Sequence, residues 1–164
     1  MSASVEVFKK YHNSVFIETG TQLGDGVVMA LNAGFPYVIS IEANLDTFHF
    51  CCDRFKQEPN VYIGHGDTKT ELKNIIEGVH VQCTFWLDAH LENEYPVLEE
   101  LDQIAQHPIK THTILIDDLR MFPTDKNGLT EAKIMDRILQ INPDYKFSYE
   151  NGHVKNDILV AKVE

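Results

Sequence analysis

The chain alternates short apolar runs with amphipathic segments, and the alternation recurs five times. Residues 15–17 ("VFI") read as a short buried strand, and residues 27–31 ("VVMAL") open an apolar helix face. "YVISIEA" (37–43) is a second, β-branched strand. It runs into "NLDTFHFCCDRFKQ", which has helical spacing through Leu45, Phe48, Cys52 and Phe55. "NVYIGHGD" (60–67) predicts a third strand, and Thr68 and Glu71 have the spacing of a capping box opening the next helix. "CTFWLDAH" (83–90) predicts a fourth strand, followed by a helix with Val97, Leu98, Leu101, Ile104 and Ala105 on one face. "HTILIDDLR" (112–120) is a fifth, and Ile134, Ile138 and Ile141 share a face of the helix after it. The rhythm then breaks: "YKFSYE" and "HVKNDILVAKV" read as two strands around an Asn151-Gly152 turn.

Five strand–helix units and a closing hairpin predict a single α/β domain over residues 1–164. It is a Rossmann-like three-layer sandwich, with a mostly parallel seven-stranded sheet that the C-terminal hairpin extends by one antiparallel strand. A composition 43% hydrophobic and 24% charged suits one ordinary globular core. "MSASVEVFKKYHN" lacks the apolar region of a signal peptide, and no apolar run reaches membrane-spanning length. Cys51, Cys52 and Cys83 include no C-x-x-C pair and are read as small apolar residues in a reducing, cytoplasmic setting. With 25 acidic residues against 14 Lys and Arg, the net charge of −11 opposes nucleic acid and anionic membranes as partners. A small molecule or a sugar is the expected partner.

In a parallel sheet, ligands gather at the carboxyl ends of the strands. Each of the five strands of the strand–helix units ends there in acid: Glu18, Glu42, Asp67, Asp88 with His90 beyond it, and Asp117-Asp118. Any one could cap a helix, but a shared edge of carboxylates demands a ligand, a metal or raised pKa values. Gly20, Gly24 and Gly26 between the first strand and helix mark a sharp turn or a close approach. Their spacing fits neither G-x-G-x-x-G nor a G-x-x-x-x-G-K-[ST] phosphate loop. Glu18, just ahead of the turn, would repel a pyrophosphate and suit a cationic ligand. Glu42 stands about where dinucleotide-binding folds place a ribose-binding acid. A nucleoside with a positive centre fits this pattern better than a dinucleotide.

"FIETGTQLGDG", "ISIEA", "GHGD", "FWLDAH" and "ILIDDLR", in that order and closed by a hairpin, resemble a class I S-adenosylmethionine-dependent methyltransferase. The resemblance implies that Glu18, Thr19, Gly20, Thr21 and Gly24 belong to the first cofactor motif, with Glu18 near the amino group of the methionine part. It puts Glu42, followed by Ala43, on the ribose hydroxyls, and Asp67 at the adenine amino group with Gly66 or His65 beside the ring. "WLDAH" followed by "IDDLR" is similar to metal-dependent sugar O-methyltransferases of the macrocin type. That resemblance implies a divalent cation, Mg²⁺ or another, on Asp88, Asp117 and Asp118, which suits hard oxygen donors. Asp88 also closes the cofactor pocket, and Asp88 or His90 would take the acceptor's proton. His90 departs from that group's second acid, and the chain has no added lid. Specificity is then expected from residues 91–96 and 120–129, or from a neighbouring subunit in a homo-oligomer.

The function expected is O-methylation of a hydroxyl on a small molecule or sugar. A metal-independent small-molecule methyltransferase is one alternative, and a non-catalytic nucleoside-binding or interaction domain of the same fold is another. Trp86 is read as core, His49, His80, His107 and His112 as surface or helix-end residues, and Arg120 as neutralising the acid pair.

Overall fold

A computed structural model describes residues 3–164; the first two positions of the expected domain lie outside the described residues. The element order is α1 (Val5–Lys10), β1 (Val15–Thr19), α2 (Asp25–Asn32), β2 (Tyr37–Glu42), α3 (Leu45–Arg54), β3 (Val61–His65), α4 (Thr68–Ile76), β4 (Cys83–Leu87), α5 (Val97–Ile104), β5 (Thr113–Ile116), a 3-10 turn (Leu119–Thr124), α6 (Glu131–Ile141), β6 (Tyr145–Glu150) and β7 (Ile158–Val163). The strands form one sheet in the order β3-β2-β1-β4-β5-β7-β6. β1 to β5 run parallel, and β7 lies antiparallel between β5 and β6. This is the Rossmann-like α/β architecture expected, with strand order reversing between β1 and β4.

Alternation along the strands divides the core in two. Val15, Ile17, Ile41, Phe85, Leu87, Ile114 and Ile116 pack with α4, α5 and α6. Phe16, Val38, Trp86 and Leu115 face the other way, onto α1 and α2. Both faces are covered, so the central strands are continuously buried, as parallel strands are. No described helix is long and apolar enough to cross a membrane.

Several local expectations change. α4 is capped by Asp67, whose carboxylate accepts from Lys69 N (2.9 Å), and not by a Thr68–Glu71 box. The Thr68 hydroxyl is turned inward instead, donating to Glu100. On α3 it is Cys51 that is fully buried, while Cys52 is only partly covered and Leu45 is exposed. All three cysteines are free thiols. Strands three, four and five stop at His65, Leu87 and Ile116, because the backbone leaves the sheet before the acids that follow. Asn151-Gly152 is not a two-residue turn; seven residues, 151–157, join β6 to β7, with Asn156 N bonded to Asn151 Oδ1 (3.1 Å).

The sequence "FKK" at 8–10 reads as a solvated helix face, and the short α1 does carry it, but with Phe8 buried and only the lysines exposed. Ser4 caps it by accepting from Val7 N, and Phe8 is fully buried against Phe16 (ring centroids 4.7 Å apart) and Trp86 (5.2 Å). A ring buried in this way contributes about 2–3 kcal/mol. Trp86 is core, as read from the sequence.

His107 follows the end of α5, one of the two placements expected, but both His107 and His112 are buried and not at the surface. Cys83 N donates to His112 Nδ1 (3.0 Å), which leaves that ring's proton on Nε2, facing His107 Nδ1 at 2.9 Å. His107 Nε2 in turn meets Val79 O at 2.8 Å. Burial, with repulsion from His107 and Lys110, pushes His112 from 6.5 down to about 4. A depressed folded pKa means that the unfolded chain takes up the proton first. The pair's contribution is therefore complete above about 6.5 and is lost as pH falls toward 4. The loss is on the order of 2–3 kcal/mol. His112→Asn, which keeps an acceptor for Cys83 N, should show a flatter decline in urea-unfolding stability across this window; a slope equal to that of the wild type would refute the assignment.

Candidate active site

In a parallel sheet, residues paired in register face the same side. Glu18 pairs with Ser40 and with Trp86, both on the α1–α2 face. One alternation beyond Trp86 on β4 is Asp88, and one beyond Leu115 on β5 is Asp117. Asp117 N still bonds Leu87 O (3.1 Å), so the register persists past the strand ends. Glu18, Asp88 and Asp117 therefore come to one face, at the carboxyl edge, beside the point where strand order reverses.

Three contiguous depressions meet there, and Asp88 lines all of them. The first, about 170 Å³, runs from Gly20 and Gln22 past Glu42 and Ala43 to Asp67, Thr68 and Lys69, beside the 89–96 segment. A second small recess holds Glu18, Gly20, Thr21 and Asp25. A third lies among Asp117, Asp118, His90, Tyr95 and Phe122. Larger clefts of about 320 and 480 Å³ lie toward the opposite edge of the sheet, among Lys73, Gln103 and His107 and among Val15, Tyr37 and Tyr62, away from the strand-end acids.

The glycine turn has two separate causes. Gly20 has φ +84°, and a Cβ there would lie 2.9 Å from Ala89 Cα, so it is needed where β4's exit crosses β1's. Gly24 has φ +87°, caps α2, and sits where a Cβ would meet the Phe55 ring at 2.5 Å. Of the residues expected at a cofactor, Glu18, Gly20, Thr21, Glu42, Ala43, Asp67 and Asp88 line the two connected recesses. Thr19, Gly24 and Gly66 do not. Thr19 is fully buried and its hydroxyl accepts from Asp88 N (3.3 Å), while Gly66 backs onto Glu71. His65 leans on Phe48 and bonds Ala43 O (3.2 Å). Gln22, Thr68, Lys69, Glu94 and Pro96 complete the wall. They lie on loops and a helix start, where period-2 reasoning does not reach.

Electrostatics separates the acids. Glu42 is held by backbone, accepting from Gln22 N and Asn44 N, each at 2.8 Å. A carboxylate with two such bonds keeps lone pairs for further donors. Glu18 is 1% exposed; burial raises it to about 8, against the pull of the Ser40 hydroxyl at 2.5 Å, whose oxygen lies 2.7 Å from the Thr21 hydroxyl. Asp88 is likewise raised to about 8, first by burial and then by Asp117 and Asp118. Asp118 takes a left-handed conformation (φ +62°) and pairs with Arg120 (2.7 Å). Arg120 also binds the buried Asp157, so the acid pair is partly neutralised, as read from the sequence. Asp88, Asp117 and Asp118 offer oxygens that all lie within 4.8 Å of one another. Three carboxylates this close, one with a raised pKa, fit a hard divalent cation.

The sequence matches no family model and no curated protein. Solved structures share its fold. An O-methyltransferase from Bacillus cereus in complex with SAH has TM-score 0.69 at 11% identity, covering 98% of this chain and 78% of that one. The O-methyltransferase TomG from Streptomyces achromogenes, involved in tomaymycin synthesis and solved with SAM, has TM-score 0.65 at 11% identity, with 97% and 77% covered. A TehB-like SAM-dependent methyltransferase from Corynebacterium glutamicum has TM-score 0.64 at 11% identity, with 96% and 84% covered. The likeness spans the whole sheet and establishes a common fold.

Beneath the groove lies Glu100, a fully buried acid that the sequence reading passed over as part of a helix face. Its Oε1 accepts from the Thr68 hydroxyl (2.6 Å), and its Oε2 makes no hydrogen bond of ordinary geometry among the described residues. Burial raises it from 4.5 to about 7. Here the folded pKa lies above the unfolded one, so the folded state loses stability as pH rises from 4.5 to 7. Relative to wild type, Glu100→Gln should gain about 2–3 kcal/mol across that interval. Urea unfolding at its two ends measures the gain; a constant difference would contradict it.

Proposed function

We propose that this protein is an S-adenosylmethionine-dependent O-methyltransferase, assisted by a divalent cation, that acts on a hydroxyl of a small molecule or sugar. The observation that carries the reading is the position of Asp88. It forms at once the end of a glycine-turned groove with a backbone-anchored acid, Glu42, and the wall of a three-carboxylate recess. The shared fold of SAM- and SAH-bound methyltransferases supports it.

In this reading the Gly20 turn and Glu18 receive the methionine end of the cofactor, Glu42 the ribose hydroxyls and Asp67 the adenine. Asp88, Asp117 and Asp118 hold the cation. When bound, the cofactor supplies an electrophilic sulfonium methyl, and the cation lowers the pKa of the acceptor hydroxyl. The acceptor hydroxyl would lose one proton as it is methylated. Asp88, which lies where the groove and the carboxylate recess meet, would take that proton on its carboxylate. His90, exposed at the rim and stacked on Tyr95 (5.5 Å), gives the proton a way to solvent. Ala89, His90, Leu91, Glu94 and Pro96 form one wall of the groove beside the reacting atoms.

Calorimetric titration of S-adenosylhomocysteine, with Mg²⁺ or with EDTA, tests the reading. Micromolar binding, together with Mg²⁺ heat that EDTA abolishes, is the expected result; absence of nucleoside binding would overturn it. Glu42→Ala should weaken that binding by about 10- to 100-fold, the cost of about 1.4–2.7 kcal/mol of lost polar contact. Asp118→Asn keeps a residue that tolerates the left-handed backbone, so it should preserve nucleoside affinity while reducing Mg²⁺ binding and turnover. Unchanged Mg²⁺ heat in that variant would remove Asp118 from the cation site.

A further inference from the structure

The charge balance of the same mouth points to the class of acceptor, an inference that rests on the methyltransferase reading. The three recesses are lined by eight carboxylates and one ammonium group, that of Lys69. Lys69 is not free. It pairs with Glu94 Oε1 at 2.5 Å, and Lys126 pairs with the other oxygen, Oε2, at 2.6 Å. The two lysines hold the Glu94 carboxyl well below its usual range, at about 2, so the clasp stays charged throughout the neutral range. Arg120 is taken up by Asp118 and Asp157, and Arg54 by Asp25 and the Leu23 carbonyl. Each Lys and Arg that the described residues bring to this mouth is thus bound to an acid of the protein's own.

Glu94 is held rigidly enough to act in this way. Leu91 and Glu94 exchange backbone bonds at 3.0 Å, closing a small turn. Lys126 N donates to Asn93 O (3.0 Å) and Tyr95 N to Asp125 Oδ1 (3.3 Å). Asp125 also accepts from Asn127 N and Leu129 N, so the 91–96 and 120–129 loops form one unit. The wall of the third recess is aromatic: His90 stacks on Tyr95, and Tyr95 meets Phe122 edge-on at 5.5 Å.

We infer that Glu94 is a specificity-determining residue whose double ion pair withdraws the lysines from the mouth, so that the acceptor is an uncharged or amine-bearing hydroxyl compound and not a carboxylate or phosphate. The acceptor hydroxyl would occupy the cation that this reading places on Asp88, Asp117 and Asp118. Apart from that cation, an anionic acceptor would meet an acidic mouth whose lysines and arginines are already bound to acids, and like charges brought together at an interface cost several kcal/mol. An ammonium group finds acids and aromatic faces there.

The test uses three matched probes, 3,4-dihydroxybenzylamine, 3,4-dihydroxybenzyl alcohol and 3,4-dihydroxybenzoate, titrated calorimetrically into the full chain with S-adenosylhomocysteine and Mg²⁺ present. The amine is expected to bind at least about tenfold more tightly than the carboxylate, with the alcohol between them, and the gap should narrow as salt is raised. Glu94→Gln frees both lysines and should move the ratio toward the carboxylate. Lys126→Gln frees one oxygen of Glu94 and should move it toward the amine. Equal or tighter binding of the carboxylate by wild type, binding of none of the probes, or shifts of the same sign in both variants would overturn the inference. Binding of S-adenosylhomocysteine in the same cell is read separately, so failure of the probes with nucleoside binding intact leaves the methyltransferase reading standing.

Discussion

Parallel pairing with continuous register is the constraint on which the site depends. Because β1, β4 and β5 run the same way and stay in register, an acid at the end of each arrives at the same edge and on the same face. Glu18, Asp88 and Asp117 are 70 and 29 residues apart along the chain, and no local interaction would assemble them. The apolar residues of these strands drive the pairing, and the cluster of like charges is its cost. Burying Phe16, Trp86 and Leu115 on one face and Ile17, Phe85 and Ile114 on the other outweighs the cost of the burial, and then the repulsion, that raises Asp88 and Glu18 to about 8.

Each acid at this edge meets a different fate, and the differences divide the work. Glu42 is fixed by two backbone amides and keeps oxygen lone pairs for a ligand. Asp67 caps α4, and Asp118 is tied to Arg120. Asp88 keeps a raised pKa and sits where the recesses join. The glycine-turned groove and the carboxylate recess therefore share Asp88 and His90, which is the adjacency that the proposed transfer between two bound partners would use. The loops beside them are joined through Asp125 and Glu94.

Much of the architecture was legible in the chain. Period-2 and period-3.6 patterns located the five strand–helix units, and a final pair of strands without a helix between them required an antiparallel return. The strand-end acids were visible for the same reason: a carboxylate at the close of an apolar run marks the polar end of a buried strand. Short or compensated features were only partly visible. α1 is six residues long and depends on burying Phe8 against Trp86, nearly eighty positions away. The Thr68–Glu71 spacing suggested a capping box, but the tertiary fold draws the Thr68 hydroxyl to Glu100 and leaves Asp67 to cap.

By itself the sequence determined the fold class, the order of the strands along the chain and the set of carboxylates available at one edge, since these follow from local periodicity and chemistry. Only the tertiary structure decided which acids share a face, which are neutralised and which remain raised. It also decided that Gly20 yields to the crossing of Ala89, that His107 and His112 lock one another's protons, and that Lys69 and Lys126 converge on Glu94. Each of these is a contact between residues distant in sequence, whose energy depends on separation and burial, and neither quantity exists until the chain has folded.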